Sequence, residues 1–130
     1  MDPVLARFTE TMGQFGLDPE RSQDNILLLV SGGPDSMALL DLVWRAGFRR
    51  VHVFHLNHGF RREAREDEVL VAQAVEERKY TYHLYRRNLQ AYVQHHPGSK
   101  QTLARNIRRY LAALCAKQHQ CRYIVTAPHR

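Results

Sequence analysis

Asn25-Ile-Leu-Leu-Leu-Val-Ser-Gly-Gly-Pro-Asp-Ser36 is the stretch of sequence that decides the fold. Residues 25–30 form an apolar run without alternation, which is typical of a strand buried on both faces of a parallel sheet and predicts a central position. The glycines and Pro34 then end the run, and proline is well suited to the first turn of a helix. Apolar residues continue to Gly47, a predicted C-cap. The stretch therefore predicts a strand, a glycine loop and a helix.

The same alternation continues on both sides of this stretch. Three further strands are predicted at 51–56, 80–85 and 122–126. Helices are predicted within 1–17, at 67–79 and, after a loop through 95–98, at 101–118. The residues predicted to point inward are Val4, Leu5, Phe8, Met12 and Phe15 in the first helix, Val69, Leu70, Ala72, Ala74 and Val75 in the third, and Leu103, Ile107, Leu111 and Leu114 in the last. Alternating strands and helices predict an α/β fold, a parallel sheet with helices on both faces.

Length and composition predict one soluble globular domain over residues 1–130, with 44% hydrophobic and 25% charged residues. Nineteen Lys and Arg against 13 Asp and Glu give a net charge of +6, which favours polyanionic partners, although a solvated basic surface remains the alternative. Cys115 and Cys121 have neither redox nor zinc spacing and are predicted to be structural thiols in a reducing cytoplasm. No segment is apolar enough to span a membrane, and the sequence does not specify an oligomeric state.

The glycine loop has the chemistry of an anion site. Gly32 and Gly33 carry no Cβ to keep a phosphate from the backbone, and the following helix offers N–H groups without intrahelical partners. The hydroxyls of Ser31 and Ser36 add further donors. The loop matches neither the Walker P-loop nor the G-x-G-x-x-G fingerprint. The alternative is a structural turn in which Ser31 is the helix N-cap.

Asp35 would repel phosphates unless a cation lies between them. Mg²⁺ is commonly held by one or two carboxylates together with phosphate oxygens, so Asp35 is predicted to act through Mg²⁺. The alternative is a first-turn acid that interacts with the helix dipole. Ligands of parallel sheets bind beyond the carboxyl ends of the strands, where Ser31, Asn57 and Thr126 are expected to converge.

Two motifs in order carry a resemblance to a known family. Residues 31–36 match the S-G-G-x-D-S signature of the PP-loop ATP pyrophosphatases, and His55-Leu-Asn-His-Gly-Phe-Arg61 resembles the H-[VL]-N-H-G-[LF]-R segment of the tRNA(Ile)-lysidine synthetases. Residues 102–114 resemble that family's A-R-x-x-R-Y helix, and residues 126–129 resemble the start of its T-A-H-H-x-D-D segment. The resemblance covers nearly the whole chain.

The resemblance implies an adenine nucleotide α-hydrolase-like (Rossmann-like) fold and a ligase. ATP would adenylate the C2 oxygen of the wobble cytidine in the anticodon of tRNA(Ile), pyrophosphate would leave, and free L-lysine would displace AMP to give lysidine. The implied cofactors are ATP and Mg²⁺, with Mg²⁺ held by Asp35. Asp35, Arg105 and Arg108 are the implied catalytic residues. The implied ATP-binding residues are Ser31, Gly32, Gly33, Pro34, Asp35, Ser36, His55, Asn57, His58, Gly59 and Arg105.

The histidines and arginines could also have structural roles without a function in the site. His55 and His58 have no third clustered ligand, which argues against zinc; the alternative is that one histidine is structural and Asn57 is a turn residue. Of the arginines, 105, 108 and 109 lie on one helical side, where guanidinium groups suit phosphate contacts. The alternative interpretation of Arg61, Arg62 and Arg65 is that they form a solvated basic face. Their acidic partners would be Glu63, Glu66 and Glu68.

The sequence departs from the family pattern at its end. Pro128 stands where the family usually has histidine, and the chain ends before the paired aspartates of that segment. The domain is therefore expected to be truncated at its C-terminal end, to bind ATP weakly and to need the absent segments for ligation. Three alternative functions remain: a non-catalytic nucleotide-binding domain, a PP-loop thiolating enzyme and an amide-forming PP-loop synthetase. A thiolating enzyme usually needs clustered cysteines.

Overall fold

A computed structural model of the chain describes residues 2–59, 63–95 and 98–127. Its helices are α1 Pro3–Gln14, α2 Pro34–Arg45, α3 Ala64–Arg78, α4 Leu89–His95 and α5 Lys100–Gln118. Its strands are β1 Asn25–Leu29, β2 Val51–Asn57, β3 Thr81–Arg86 and β4 Cys121–Thr126. Within the described ranges, no helix combines the length and the apolar character needed to cross a membrane.

The four strands form one parallel sheet in the order β3-β2-β1-β4. β1 pairs with β2 on one side and with β4 on the other. Leu27 and Leu28 within it are completely buried although their side chains point to opposite faces. The predicted α/β class and the central position of the first strand are confirmed.

Two hydrophobic cores cover the two faces of the sheet. Leu28 of β1 packs in the core that includes Met12 of α1, Leu40 of α2 and Val71 of α3. Leu27 packs in the other core, to which α5 contributes Leu111, Ala112, Cys115 and Ala116. Helices therefore lie on both faces, as predicted, and each core is built by the side chains that β1 alternately sends to it.

The inward face of α3 differs from the prediction. The helix begins at Ala64, three residues earlier than predicted, and Val69 and Leu70 are 52% and 45% exposed. Its buried residues are Glu68, Val71, Ala74 and Val75. Three- and four-residue spacing from 68 to 75 defines the face that meets the sheet, and the apolar pair at 69 and 70 falls outside it. An acidic residue thus occupies a core position that hydrophobicity alone did not predict.

Three other residues predicted to point inward are also exposed. Val4 and Phe15 are 62% and 69% exposed: α1 contacts the core through Phe8 and Met12, and the two exposed residues lie at its two ends. Leu114 is 40% exposed, since the face of α5 that meets the sheet carries Leu111 and Cys115, four residues apart. Apolar side chains at the ends and flanks of amphipathic helices commonly remain in solvent.

Helix α4 was not predicted. It has seven residues, of which Leu89 is buried, so it shows no helical repeat of apolar positions. Its first residue is fixed by a hydrogen bond from the Leu89 N–H to the His58 carbonyl, 3.2 Å long. The start of this short helix is therefore set by a tertiary contact, and the local sequence does not predict it.

Candidate functional site

A cavity of about 400 Å³ opens at the carboxyl edge of the sheet, beside the loop that follows β1. β2 and β3 lie on one side of β1 and β4 lies on the other, so the chain changes direction at this strand. Ligands of open α/β sheets bind at such a switch point. The predicted site residues that line the cavity are Ser31, Gly32, Gly33, Pro34, His55, Asn57, His58 and Arg108.

The loop is organised by Ser36. Its side chain is 6% exposed, and its Oγ accepts hydrogen bonds from the N–H groups of Ser31 and Gly32 at 3.1 and 3.2 Å. It lies 3.1 Å from the Gly33 carbonyl oxygen, to which it donates, and 3.1 Å from the Ser31 Oγ. The Ser36 hydroxyl therefore lies inside the turn of the loop backbone and holds the N–H groups of Ser31 and Gly32 close together.

Helix α2 begins with Gly33 as its N-cap residue and Pro34 in its first turn. The interpretation of Ser31 as the N-cap is therefore wrong; the Ser31 Oγ instead accepts from the Gly33 N–H at 3.3 Å. A glycine N-cap has no side chain with which to satisfy the first-turn N–H groups. The helix start thus keeps the polarity that favours an anion. Asp35 lies in this first turn and is exposed.

Gly32 brings the loop against α3. Its φ is +95°, in the region that favours glycine, and a Cβ built on it would lie 3.1 Å from the Asp67 Cβ and 3.2 Å from the Asp67 Oδ1. Asp67 also lines the cavity. Glycine is needed here twice over, for its backbone conformation and for the space that the Asp67 side chain occupies. Asp67 was not among the predicted site residues.

His55 is a buried structural histidine that also lines the cavity. It is 3% exposed, and its Nδ1 lies 2.7 Å from the Val30 carbonyl oxygen. A carbonyl oxygen only accepts, so Nδ1 carries the proton of this hydrogen bond. This contact ties the end of β1 to β2 and fixes the ring at the cavity wall.

Asn57 links the cavity to a buried acid. Its Nδ2 donates to the Glu68 Oε1 at 2.9 Å, and its Oδ1 accepts from the Gly59 N–H at 3.0 Å, as expected of a turn residue. Arg86 donates to both Glu68 oxygens, at 2.7 and 3.0 Å. The Arg86 hydrogen bonds, helped by Asn57, lower the pKa of Glu68 to about 2 although burial opposes this. Glu68 is 5% exposed, so its predicted role as a solvated partner of nearby arginines is wrong.

Glu68→Gln is expected to lower the free energy of unfolding by about 1.5–3 kcal/mol at pH 7, because a charged hydrogen-bond acceptor is lost. The folded pKa of about 2 lies below the ordinary 4.5. The contribution is therefore complete above pH 4.5 and lost as the pH falls towards 2. Urea denaturation at pH 7, 4 and 2.5 checks this: the wild type and the variant should converge at the lowest pH. Glu76→Gln, an exposed position of the same helix, is the control; an equal loss in both variants would contradict this account.

Arg108 reaches the cavity from α5, on the other face of the sheet. It is half-buried, and burial together with the charges of Arg105 and Arg109 lowers its pKa from the ordinary value. Arginine nevertheless stays protonated at neutral pH. An anion in the cavity would offset the cost of this positive charge.

Not every predicted site residue lies at the cavity. Among the described residues, the lining does not include Asp35, Ser36, Gly59, Arg105 or Thr126. Arg105 is exposed, and Gly59 lines a neighbouring cavity of about 360 Å³ with Arg86. The predicted contacts at residues 60–62 and the motif residues 128–130 lie outside the described residues.

The family of the chain follows from sequence comparison. A profile of the PP-loop domain family matches residues 4–130. The fold and the site together define a nucleotide-binding α/β domain with a serine-glycine loop at the carboxyl edge of its sheet. The chain belongs to the PP-loop domain family. Membership of this family implies the use of ATP.

Relatives in sequence include several tRNA(Ile)-lysidine synthases. That of Symbiobacterium thermophilum is 41% identical over 80 residues, covering 58% of this chain and 16% of the relative. That of Novosphingobium aromaticivorans is 34% identical over 113 residues, covering 87% of this chain and 32% of the relative. The family resemblance inferred from the two motifs is confirmed. The chain spans less than a third of the length of either relative.

Two solved structures share the fold. The NH3-dependent NAD synthetase of Campylobacter jejuni superposes with a TM-score of 0.69 at 21% identity, covering 98% of this chain and 57% of that one. The U34-tRNA thiolase NcsA of Methanococcus maripaludis gives a TM-score of 0.73 at 14% identity, covering 95% and 44%. These likenesses confirm the predicted adenine nucleotide α-hydrolase-like fold.

Proposed function

We propose that this chain is the ATP-binding part of a tRNA(Ile)-lysidine synthase. In the proposed reaction, the C2 oxygen of the wobble cytidine attacks the α phosphorus of ATP, and the bond between the α phosphorus and the bridging oxygen breaks to release pyrophosphate. The amino group of L-lysine then displaces AMP from C2. The observation that carries the proposal is the presence of the glycine loop and Arg108 in one cavity, supported by relatives named for this activity.

The loop supplies the phosphate contacts in this proposal. The N–H groups of Ser31 and Gly32 already point to one oxygen, the Ser36 Oγ. A phosphate oxygen would replace the Ser36 Oγ as the acceptor of these two N–H groups, and Gly33 and Pro34 would allow close approach of the backbone. The segment with His55, Asn57, His58 and Gly59 is proposed to bound the nucleotide on the β2 side.

The carboxylates beside the loop fit a magnesium ion. Asp67 lines the cavity against Gly32, and Asp35 lies in the first turn of α2. Two carboxylates with phosphate oxygens make the hard oxygen donor set that Mg²⁺ prefers. Asp35 and Asp67 would therefore hold the ion, which when bound neutralises phosphate charge. The remaining catalytic work would fall to the arginines of α5.

Arg108 is proposed to stabilise the negative charge that develops on the α and β phosphates. Its planar guanidinium suits paired contacts with phosphate oxygens. Arg105, one turn earlier on the same helix and exposed, is proposed as a second cationic contact for ATP or for the tRNA backbone. Because the attacking oxygen belongs to the tRNA, catalysis needs positioning and charge stabilisation and no protein nucleophile.

The cysteines argue against a thiolating enzyme. Cys115 is completely buried in the α5 core, and Cys121 begins β4 at the amino end of the sheet, away from the loop. Burial raises the pKa of both thiols, that of Cys121 to about 11. Both are therefore protonated at neutral pH, and a thiol is a poor nucleophile.

The proposal predicts AMP formation that depends on both lysine and tRNA(Ile). Asp35→Asn is expected to slow it at least about 10- to 100-fold, the loss that is typical when a residue that only supports a metal ligand is removed. Asp41→Asn, an acid of the same helix that pairs with Arg45 and Arg78, is the control. The assay measures labelled AMP with tRNA(Ile), with and without lysine, beside calorimetric ATP binding.

Each outcome of this assay has a meaning. Lysine-dependent AMP formation supports the ligase. ATP binding without AMP formation, the result expected where the absent C-terminal segments are needed, overturns ligation by this chain alone and supports a nucleotide-binding domain. AMP formation that does not need lysine points to another AMP-forming reaction. The absence of ATP binding would overturn the assignment of the loop itself.

A further inference from the structure

Three histidines from distant parts of the sequence meet at the end of the sheet opposite to the glycine loop. His52 is the second residue of β2, His83 is the third of β3, and His119 is the C-cap of α5, just before β4. Along β2 the distance from His52 to Asn57 at the loop end is about 16 Å at the usual rise per residue. The cluster is therefore separate from the proposed ATP site.

The backbone brings these rings to one face of the sheet. His83 pairs in register with Phe54, two residues after His52, so both histidines point to the face that α5 covers. The His119 carbonyl accepts from the Asn25 Nδ2 at 3.2 Å, which fixes the end of α5 beside them. The positions of the three rings thus follow from strand register and from the end of a packed helix.

The three side chains are close enough together to hold a metal ion. One ring nitrogen from each of His52, His83 and His119 lies within 4.8 Å of the other two, and the His52 Nδ1 is 2.9 Å from the His83 Nε2. A tetrahedral zinc site with Zn–N distances near 2.0–2.1 Å needs nitrogens about 3.3 Å apart. Small rotations of the rings would supply that spacing. All three side chains are half-buried, so solvent reaches each of them.

The chemical state of the rings suits an ion. Burial, with smaller contributions from the neighbouring histidines, lowers the pKa of His83 to about 4 and also lowers that of His52. Imidazole binds metals in its neutral form, and the ring that donates in the hydrogen bond between His52 and His83 would have to carry its proton on its other nitrogen in order to ligate. Imidazole donors select zinc and neighbouring transition metals over Mg²⁺, which prefers oxygen.

We propose that His52, His83 and His119 form a binding site for a divalent transition-metal ion of the zinc type. Three protein nitrogens would hold the ion, and water would complete its coordination. The ion would join β2, β3 and the start of β4 at the amino edge of the sheet, so its binding free energy would stabilise the fold. The site does not depend on the proposed ligase activity.

The test is calorimetry of the full chain, stripped with a chelator and free of nucleotide, titrated with Zn²⁺ and separately with Mg²⁺. One equivalent of Zn²⁺ is expected to bind, and Mg²⁺ is not. At one hundred times Kd, Zn²⁺ is expected to raise Tm by about 10 °C. Co²⁺ in place of Zn²⁺ is expected to give the visible absorption of a four-coordinate site.

The matched variants are His83→Phe and His119→Phe, which keep an aromatic ring in the stack and remove the ligating nitrogens. Each is expected to weaken Zn²⁺ binding at least 100-fold, whereas His95→Ala, at an exposed histidine of α4, leaves it unchanged. Circular dichroism checks that each variant is folded. If the folded phenylalanine variants bind Zn²⁺ like the wild type, or if the wild type binds less than one equivalent, the proposal is overturned.

Discussion

Replacing Gly32 by valine is expected to weaken ATP binding more than about 1,000-fold, equal to about 4 kcal/mol. A β-branched residue at a φ of +95° is strained, and its Cβ would lie 3.1 Å from that of Asp67. Relief of either conflict moves the loop away from α3 and separates the N–H groups that Ser36 holds together. Calorimetry with ATP and Mg²⁺ measures the loss.

Gly13→Val is the control for this substitution. Gly13 lies in α1, and a Cβ there meets nothing within 4 Å. Because valine has a higher helix propensity than glycine, the control is expected to keep wild-type ATP affinity and to gain a few tenths of a kcal/mol in stability. Wild-type affinity in a folded Gly32→Val variant would contradict the assignment of the loop as the phosphate site.

Arg108→Met is expected to slow ATP–pyrophosphate exchange about 100- to 1,000-fold, the usual loss when one preorganised donor to a developing charge is removed. Methionine keeps much of the apolar stem. Circular dichroism and Tm check that the variant is folded. A residue retained only for the fold would lower Tm and leave the exchange rate of the folded variant unchanged.

Arg109→Met provides the comparison, because this neighbouring residue of α5 is exposed and does not line the cavity. It is expected to leave the exchange rate within about twofold of the wild type, as is usual for surface changes away from a site. Equal losses of exchange rate in the two variants would contradict this role of Arg108. They would show that the exchange rate depends on the general positive charge of α5 and is independent of the position of Arg108 in the cavity.

The sequence predicts the parts of this molecule that local chemistry specifies. The apolar run of β1 has no solvated face, so its central place could be read directly, and Pro34 after two glycines marks the loop and the helix start. The carboxyl-edge rule then brings Ser31 and Asn57 to one cavity. These conclusions need only the order of the elements and the periodicity of each one.

Other features depend on contacts between distant residues. Glu68 shares the spacing of Val71 and Val75, which is a signal for a buried acid, but Arg86, its partner, lies in another element. Asp67 can lie beside the loop because Gly32 has no Cβ, and no local sequence pattern reveals this close approach. The histidine cluster likewise requires the register of β2 on β3. Pairing and close approach are set by the tertiary structure.

The central claim is that ATP binds with its phosphates at residues 31–36. The most direct test is a titration of the ¹⁵N-labelled chain with ATP and Mg²⁺, followed by amide NMR. We predict saturable shifts of the amides of Ser31, Gly32, Gly33 and Ser36, with the amides of α1 unchanged. Saturable ATP binding that shifts other amides and leaves those of the loop unmoved would contradict the claim.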